Sequence, residues 1–63
     1  MYKIILNKII FKDDYNELNF IEIIQFYNET NEIKIDEIEF GKEFNQDISL
    51  LPQYITKIIF NND

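Results

Sequence analysis

The pattern I-x-F occurs twice, twenty residues apart, at Ile38/Phe40 and at Ile58/Phe60. The stretch that joins them reads I-x-F-G-x-x-F-N-Q-x-I-x-x-L-P-x-x-I-x-x-I-x-F, so it closes on its own opening. A unit that returns to its first residues is the signature of a stacked repeat, because one such unit cannot bury its apolar face without a neighbour. Repeats of this length build solenoids, so a stacked-coil fold is expected. It also points away from catalysis and toward binding of other macromolecules.

A shorter core, Φ-x-x-Φ-x-F, is present at Ile55/Ile58/Phe60 and at Ile35/Ile38/Phe40. An earlier copy can be set in two registers. One uses Tyr15/Leu18/Phe20, again twenty residues before; the other uses Leu6/Ile9/Phe11. The second matches more of the unit: Phe11 to Asn16 mirrors Phe40 to Asn45, and Lys8-Ile9-Ile10-Phe11 repeats as Lys57-Ile58-Ile59-Phe60. That register is preferred, with residues 17–34 inserted between the copies as a helix.

One strand is predicted over residues 2–11 from the alternation of Tyr2, Ile4 and Leu6, resumed at Ile9 and Phe11. Asp14 followed by Glu17 fits a capping box, so a helix is predicted over residues 14–27, on the spacing of Tyr15, Leu18, Ile21 and Ile24. A strand from Leu18 to Ile24 competes, since isoleucine is a weak helix former. Residues 28–32 form a polar break, and strands are expected near 38–40 and 58–60. Gly41, the only glycine, is expected at positive φ. Pro52, the only proline, should mark a turn.

Sixty-three residues make one small domain, split here into a strand–helix region over 1–32 and a repeat over 33–63. A chain of this length buries only about 60% of its unfolded surface. It has no cysteine and no histidine, so disulfides, the common zinc ligands and the commonest general base are all missing. Ser49, Thr30 and Thr56 therefore lack a histidine to activate them. One glycine cannot build a phosphate loop, and paired carboxylates have no evident cleft. A non-enzyme without cofactor or metal is expected. Acidic residues outnumber basic ones 12 to 6, the net charge is −6 and arginine is absent. These argue against nucleic acid and anionic membrane as partners. The N-terminal apolar run is broken by Asn7 and Lys8 and lacks a cleavage site, so an intracellular, cytoplasmic address is expected.

The stretch Phe40-Gly41-x-x-Phe44-Asn45-Gln46-x-Ile48-x-x-Leu51-Pro52-x-x-Ile55-x-x-Ile58-x-Phe60 resembles a FNIP repeat, a divergent relative of the leucine-rich repeat. The resemblance covers residues 35–60; Asp47 departs from it, where the family usually has proline. Members occur mainly in giant viruses of amoebae, which would set this chain in host cytoplasm, and in social amoebae. They carry many copies, often behind an F-box; this chain holds one full copy and fragments. The resemblance implies an α/β fold: a short leucine-rich-repeat-like solenoid with parallel strands near 9–11, 38–40 and 58–60 and one helix near 14–27. Phe40, Phe44, Ile48, Leu51, Ile55, Ile58 and Phe60 would fill the coil, Gly41 and Pro52 would turn it, and Asn45 would bond turn backbone from inside.

The expected function is protein–protein interaction or a structural repeat, through an exposed strand face around Lys34, Asp36, Glu37, Glu39, Thr56, Lys57 and Ile59, whose side chains alternate with buried ones. A second reading is a small acidic inhibitor or decoy that occupies a basic site on another protein, drawing on Glu29, Glu32, Glu37, Glu39 and Glu43. The last strand is expected to be an open edge, inviting self-association or belonging to a longer parent.

Overall fold

The computed structural model describes residues 1–61. The order of elements is β1 (Tyr2–Ile5), β2 (Lys8–Phe11), α1 (Phe20–Thr30), β3 (Glu37–Phe40) and β4 (Lys57–Phe60). They form one open four-stranded sheet in the order β1-β2-β3-β4. The pairs β2–β3 and β3–β4 are parallel, with Ile9 beside Ile38, Ile38 beside Ile58 and Phe40 beside Phe60. The parallel strands expected near 9–11, 38–40 and 58–60 are therefore all present, in a mixed α/β fold.

Residues 2–11 are a hairpin and not the single strand expected from their alternation. β1 runs antiparallel to β2 from Tyr2 opposite Phe11 to Ile5 opposite Lys8, which leaves Leu6 and Asn7 as a two-residue turn. Leu6 takes φ 55 to make it. The turn is tied to the next strand: the Asn7 carbonyl accepts from the amides of Asp36 (3.0 Å) and Glu37 (3.2 Å), and the Asn7 amide group donates to Asp36 Oδ1 at 2.7 Å. These bonds reward the reversal of the chain over its continuation.

The helix also starts later than its sequence signals suggest, at Phe20 instead of residue 14. The capping-box reading of Asp14 and Glu17 is thereby corrected. Tyr15 turns back onto the sheet, with its amide bonded to the Lys12 carbonyl at 3.1 Å and its ring stacked on Phe11 at 4.3 Å. Asn19 caps the helix by position alone; its side-chain oxygen accepts from the Tyr15 hydroxyl. Repeat packing outweighed local helix propensity over residues 12–19, as tertiary contacts commonly do. Once begun, α1 closes on the core through Phe20 and Ile24, both fully buried. Its last turn is finished by side chains: Asn31 donates to the Tyr27 carbonyl, Thr30 to those of Phe26 and Tyr27, and the Lys34 ammonium to those of Asn28 and Asn31. A cation there also suits the negative end of the helix dipole.

The core lies between the sheet and α1. It is built from Ile9, Phe11, Tyr15, Phe20, Ile24, Ile35, Ile38, Phe40 and Phe44. Aromatic rings carry much of it: Phe11 stacks on Phe40 at 5.7 Å, Phe40 on Phe60 at 5.5 Å, and Phe20 meets Phe40 edge-on at 5.2 Å. Such pairs add about 0.5–1.5 kcal/mol each beyond the apolar area they bury. No helix among the described residues is long and apolar enough to cross a membrane.

Candidate functional site

Beyond Phe40 the chain makes three tight turns before β4. Phe44 bonds back to the Gly41 carbonyl (3.5 Å), Leu51 to that of Ile48 (3.1 Å), and Ile55 to that of Pro52 (3.2 Å). Pro52 thus opens a turn, as expected. Phe44 is buried; Ile48, Leu51, Ile55 and Ile58 are half-buried and pack against the core. Phe60 is 45% exposed where its equivalents Phe40 and Phe11 are at 0% and 2%.

Two structural residues play other parts than expected. Gly41 has no positive φ. Its role is close approach: a Cβ there would lie 2.5 Å from Asp13 Cα and 2.7 Å from the Lys12 carbonyl oxygen. Asn45 does not bond turn backbone from inside the coil; its side chain is exposed. The bonding runs from the preceding copy. Asn16, its equivalent, accepts the Asn45 amide at 2.8 Å and also meets the Gln46 side chain. Asp13 does the same one turn earlier, accepting Glu43 N–H on its carbonyl (3.0 Å) and Lys42 N–H on Oδ1 (3.2 Å). From sequence, Asp13 with Asp14 marks only the end of the first strand and a helix cap, and Asn16 enters only as the counterpart of Asn45 in the match of 11–16 to 40–45; the structure makes both of them ties between successive turns. The rings obey the same rule: Tyr15 and Phe44 are stacked at 6.2 Å with planes 3° apart. The preferred register of the first copy is therefore the one observed.

The side chains expected to bind a partner divide into two groups. Glu37, Glu39, Lys57 and Ile59 share the sheet face opposite α1, since residues alternate across a strand and Ile38, Phe40, Ile58 and Phe60 take the other side. The register adds Lys8 and Ile10 of β2, and Lys3 and Ile5 of β1, to this face. It is a mixed surface: Lys8, Glu37 and Lys57 stand in one row, and Lys8 makes an ion pair with Glu39 at 3.0 Å. That ammonium and the Asn61 amide group, 2.8 Å from Glu39 Oε2, hold the Glu39 carboxyl below its ordinary range, since both favour the charged form.

Lys34, Asp36 and Thr56 lie off this face. Thr56 is used internally, its amide and hydroxyl both donating to the Asp36 carbonyl at 2.8 and 3.2 Å. Lys34 and Asp36 border a groove of about 710 Å³ that also includes Asn28, Glu29, Ile35 and Tyr54. Within it Asn28 acts as a clamp between helix and strand: its amide group donates to the Ile35 carbonyl at 3.1 Å and its oxygen accepts the Ile35 amide at 2.7 Å. Among the described residues no group of three or more acidic, histidine or cysteine side chains is placed to hold a metal.

Parallel strands in one register, with the turn after β3 tied through Asn16 to the equivalent turn after β2, define a repeat module. Comparison with protein families matches residues 33–63 to the FNIP repeat, and the chain belongs to the FNIP repeat-containing proteins. No curated protein and no solved structure matches it.

Proposed function

We propose that this chain is a non-enzymatic protein-interaction module, a short leucine-rich-repeat-like solenoid that meets an unidentified protein partner through the open face of its sheet. The observation that carries this reading is the division of the sheet into two unlike faces. One is buried under α1 and the aromatic stack. The other has no element over it among the described residues, and presents Glu37, Glu39, Lys57 and Ile59 beside Lys8 and Ile10 on a backbone held rigid by parallel pairing. A fixed strand face with mixed charge offers both signs for complementarity, which gives specificity and speeds encounter more than it raises raw affinity. The lack of cysteine accommodates action in the cytoplasm.

A triple variant, Glu37→Lys, Glu39→Lys, Ile59→Asp, tests this against a protein retained from lysate by the wild-type chain. Loss of that protein by the variant, with retention by a helix-side variant such as Glu22→Lys, is the expected result. Equal retention by both ends the reading. The decoy reading draws on the net charge of −6. Salt separates the two. A decoy bound by charge loses affinity steeply as ionic strength rises; a face with apolar Ile10 and Ile59 among its charges loses little.

A further inference from the structure

The edge of β4 differs from the rest of the sheet in a way that does not depend on the reading of the open face. Three columns run across the parallel strands and stop at β4. The apolar columns are Ile9–Ile38–Ile58 and Phe11–Phe40–Phe60, in which the first two members are buried and Phe60 is 45% exposed. The third column is polar: Lys8–Glu37–Lys57. Backbone bonding has the same direction. The Asp36 amide donates to the Asn7 carbonyl (3.0 Å), and the Thr56 amide donates to the Asp36 carbonyl (2.8 Å). The Thr56 carbonyl is next in that series, and no donor reaches it among the described residues.

These columns specify what would continue the sheet. The incoming strand must run parallel to β4, with an aliphatic side chain beside Ile58 and an aromatic one beside Phe60. On the outer face it must meet Lys57 with a carboxylate. Lys8 finds its partner one strand over and two residues along, at Glu39. A strand with acids at both outer positions would serve Lys57 in the same way. A second copy of the chain fits poorly: its free edges, β1 and β4, bring Lys3 and Lys57 to the outer face and no carboxylate. Like charges set opposite one another destabilise a strand pair. We infer that the free edge of β4 takes up, in parallel, an extended segment of a partner protein with the alternation acidic–aliphatic–acidic–aromatic. Adding a strand to an open edge draws affinity from main-chain bonds and specificity from alternate side chains.

The probe is a fluorescein-labelled synthetic peptide with the sequence of residues 33–44, which holds Glu37-Ile38-Glu39-Phe40 and so meets the specification. Titration with the whole chain, read by fluorescence anisotropy, should show saturable binding. The peptide with both glutamates changed to lysine should bind about fivefold or more weakly, as sign reversal of facing charges costs. Lys57→Glu in the chain should reverse that preference. Lys8→Glu should leave it unchanged, because Lys8 lies two strands from the edge. Equal binding of the two peptides overturns the inference. So does an equal response to Lys8→Glu and Lys57→Glu, which would mean that the peptide displaces β3. Self-association that excludes the peptide, seen by sedimentation equilibrium, would assign the edge to a second copy instead and overturn it too.

Discussion

Replacing Gly41 by alanine tests whether two successive turns must touch backbone to backbone. The added methyl would stand 2.5 Å from Asp13 Cα, 2.7 Å from the Lys12 carbonyl oxygen and 2.8 Å from the Asp13 amide nitrogen. Carbon contacts are comfortable only at about 3.5–4.0 Å, so the two turns must separate by about 1 Å. None of the three atoms belongs to a side chain that could swing away. The bonds from Glu43 N–H to the Asp13 carbonyl and from Lys42 N–H to Asp13 Oδ1 span the same gap and would lengthen with it. Overpacking of this kind costs about 1–3 kcal/mol, and each hydrogen bond adds about 1 kcal/mol. Loss of glycine's freedom in the unfolded chain returns about 0.4–1 kcal/mol. The expected net destabilisation is about 2–4 kcal/mol. At roughly 0.05–0.15 kcal/mol per residue, a domain of this size holds roughly 3–9 kcal/mol in all. The change should therefore lower Tm by about 10–25 °C in a thermal melt followed by circular dichroism, or abolish the transition. Asparagine at the same position discriminates the cause. If glycine were needed for positive φ, Asn would be milder than Ala; if the space is closed, Asn is as bad or worse. A Gly41→Ala variant within about 0.5 kcal/mol of wild type, or an Asn variant more stable than the Ala one, refutes the close-approach argument.

Three further outcomes are expected. Leu6→Asn should raise stability by about 0.5–1 kcal/mol in urea unfolding, because Leu6 is exposed and held at φ 55, where asparagine is at ease in a two-residue hairpin turn; a loss would contradict the turn. Asn16→Ala should cost about 1 kcal/mol through the orphaned Asn45 amide, whereas Asn45→Ala should be nearly silent; the reverse ranking would restore the internal role first expected of Asn45. Tyr15 sets an alkaline limit: burial, then the nearby Glu17 charge, pushes its hydroxyl up to about 12 against a bond from Phe20 that lowers it. A group whose folded pKa is raised keeps its stabilisation below the unfolded value of 10 and loses it as pH rises toward 12. Urea melts at pH 8 and pH 11 should show a larger drop for wild type than for Tyr15→Phe; equal drops would discount Tyr15 as the source.

How far the fold was legible depended on whether the signal was repeated or local. The strands at Ile38–Phe40 and Ile58–Phe60 were legible because the same spacing of Ile and Phe occurs twice, and the parallel register places those residues side by side. The correspondence of 11–16 with 40–45 was legible for the same reason. What failed rested on local chemistry read in isolation. Asp14 and Glu17 looked like a helix start, but Tyr15 has a place in the ring stack between Phe11 and Phe44, and burial of an aromatic outweighs a cap. The hairpin at Leu6-Asn7 had no glycine to announce it. Its stabilisation comes from Asp36 and Glu37, some thirty residues on, where no local rule could look. Of the partner-binding set, strand alternation placed Glu37, Glu39, Lys57 and Ile59 together; Lys34, Asp36 and Thr56 precede the strands, where alternation no longer holds.

The two ends of the sheet are finished in different ways, and this bears on how such a small chain holds together. At β2 the stack is closed by a strand running the other way: β1 covers Phe11 with Tyr2, whose ring lies 5.8 Å off and tilted. Antiparallel reversal breaks the repeat, since the two-residue Leu6-Asn7 turn bonds forward to Asp36 and Glu37 but is no copy of the turn over residues 11–16. At β4 the columns stop with the parallel sense intact, and Phe60 keeps one flank in water. Covering the exposed part of one phenylalanine stabilises by about 1 kcal/mol or more at roughly 25 cal/mol per Å², a large increment for a domain holding only a few kcal/mol. Binding at that edge should therefore stabilise the whole chain as well as recruit a partner, and the unfolding midpoint should rise with concentration of the edge-binding peptide. An unfolding midpoint indifferent to saturating peptide would separate the edge from the cooperative core and leave Phe60 as a passive end of the stack.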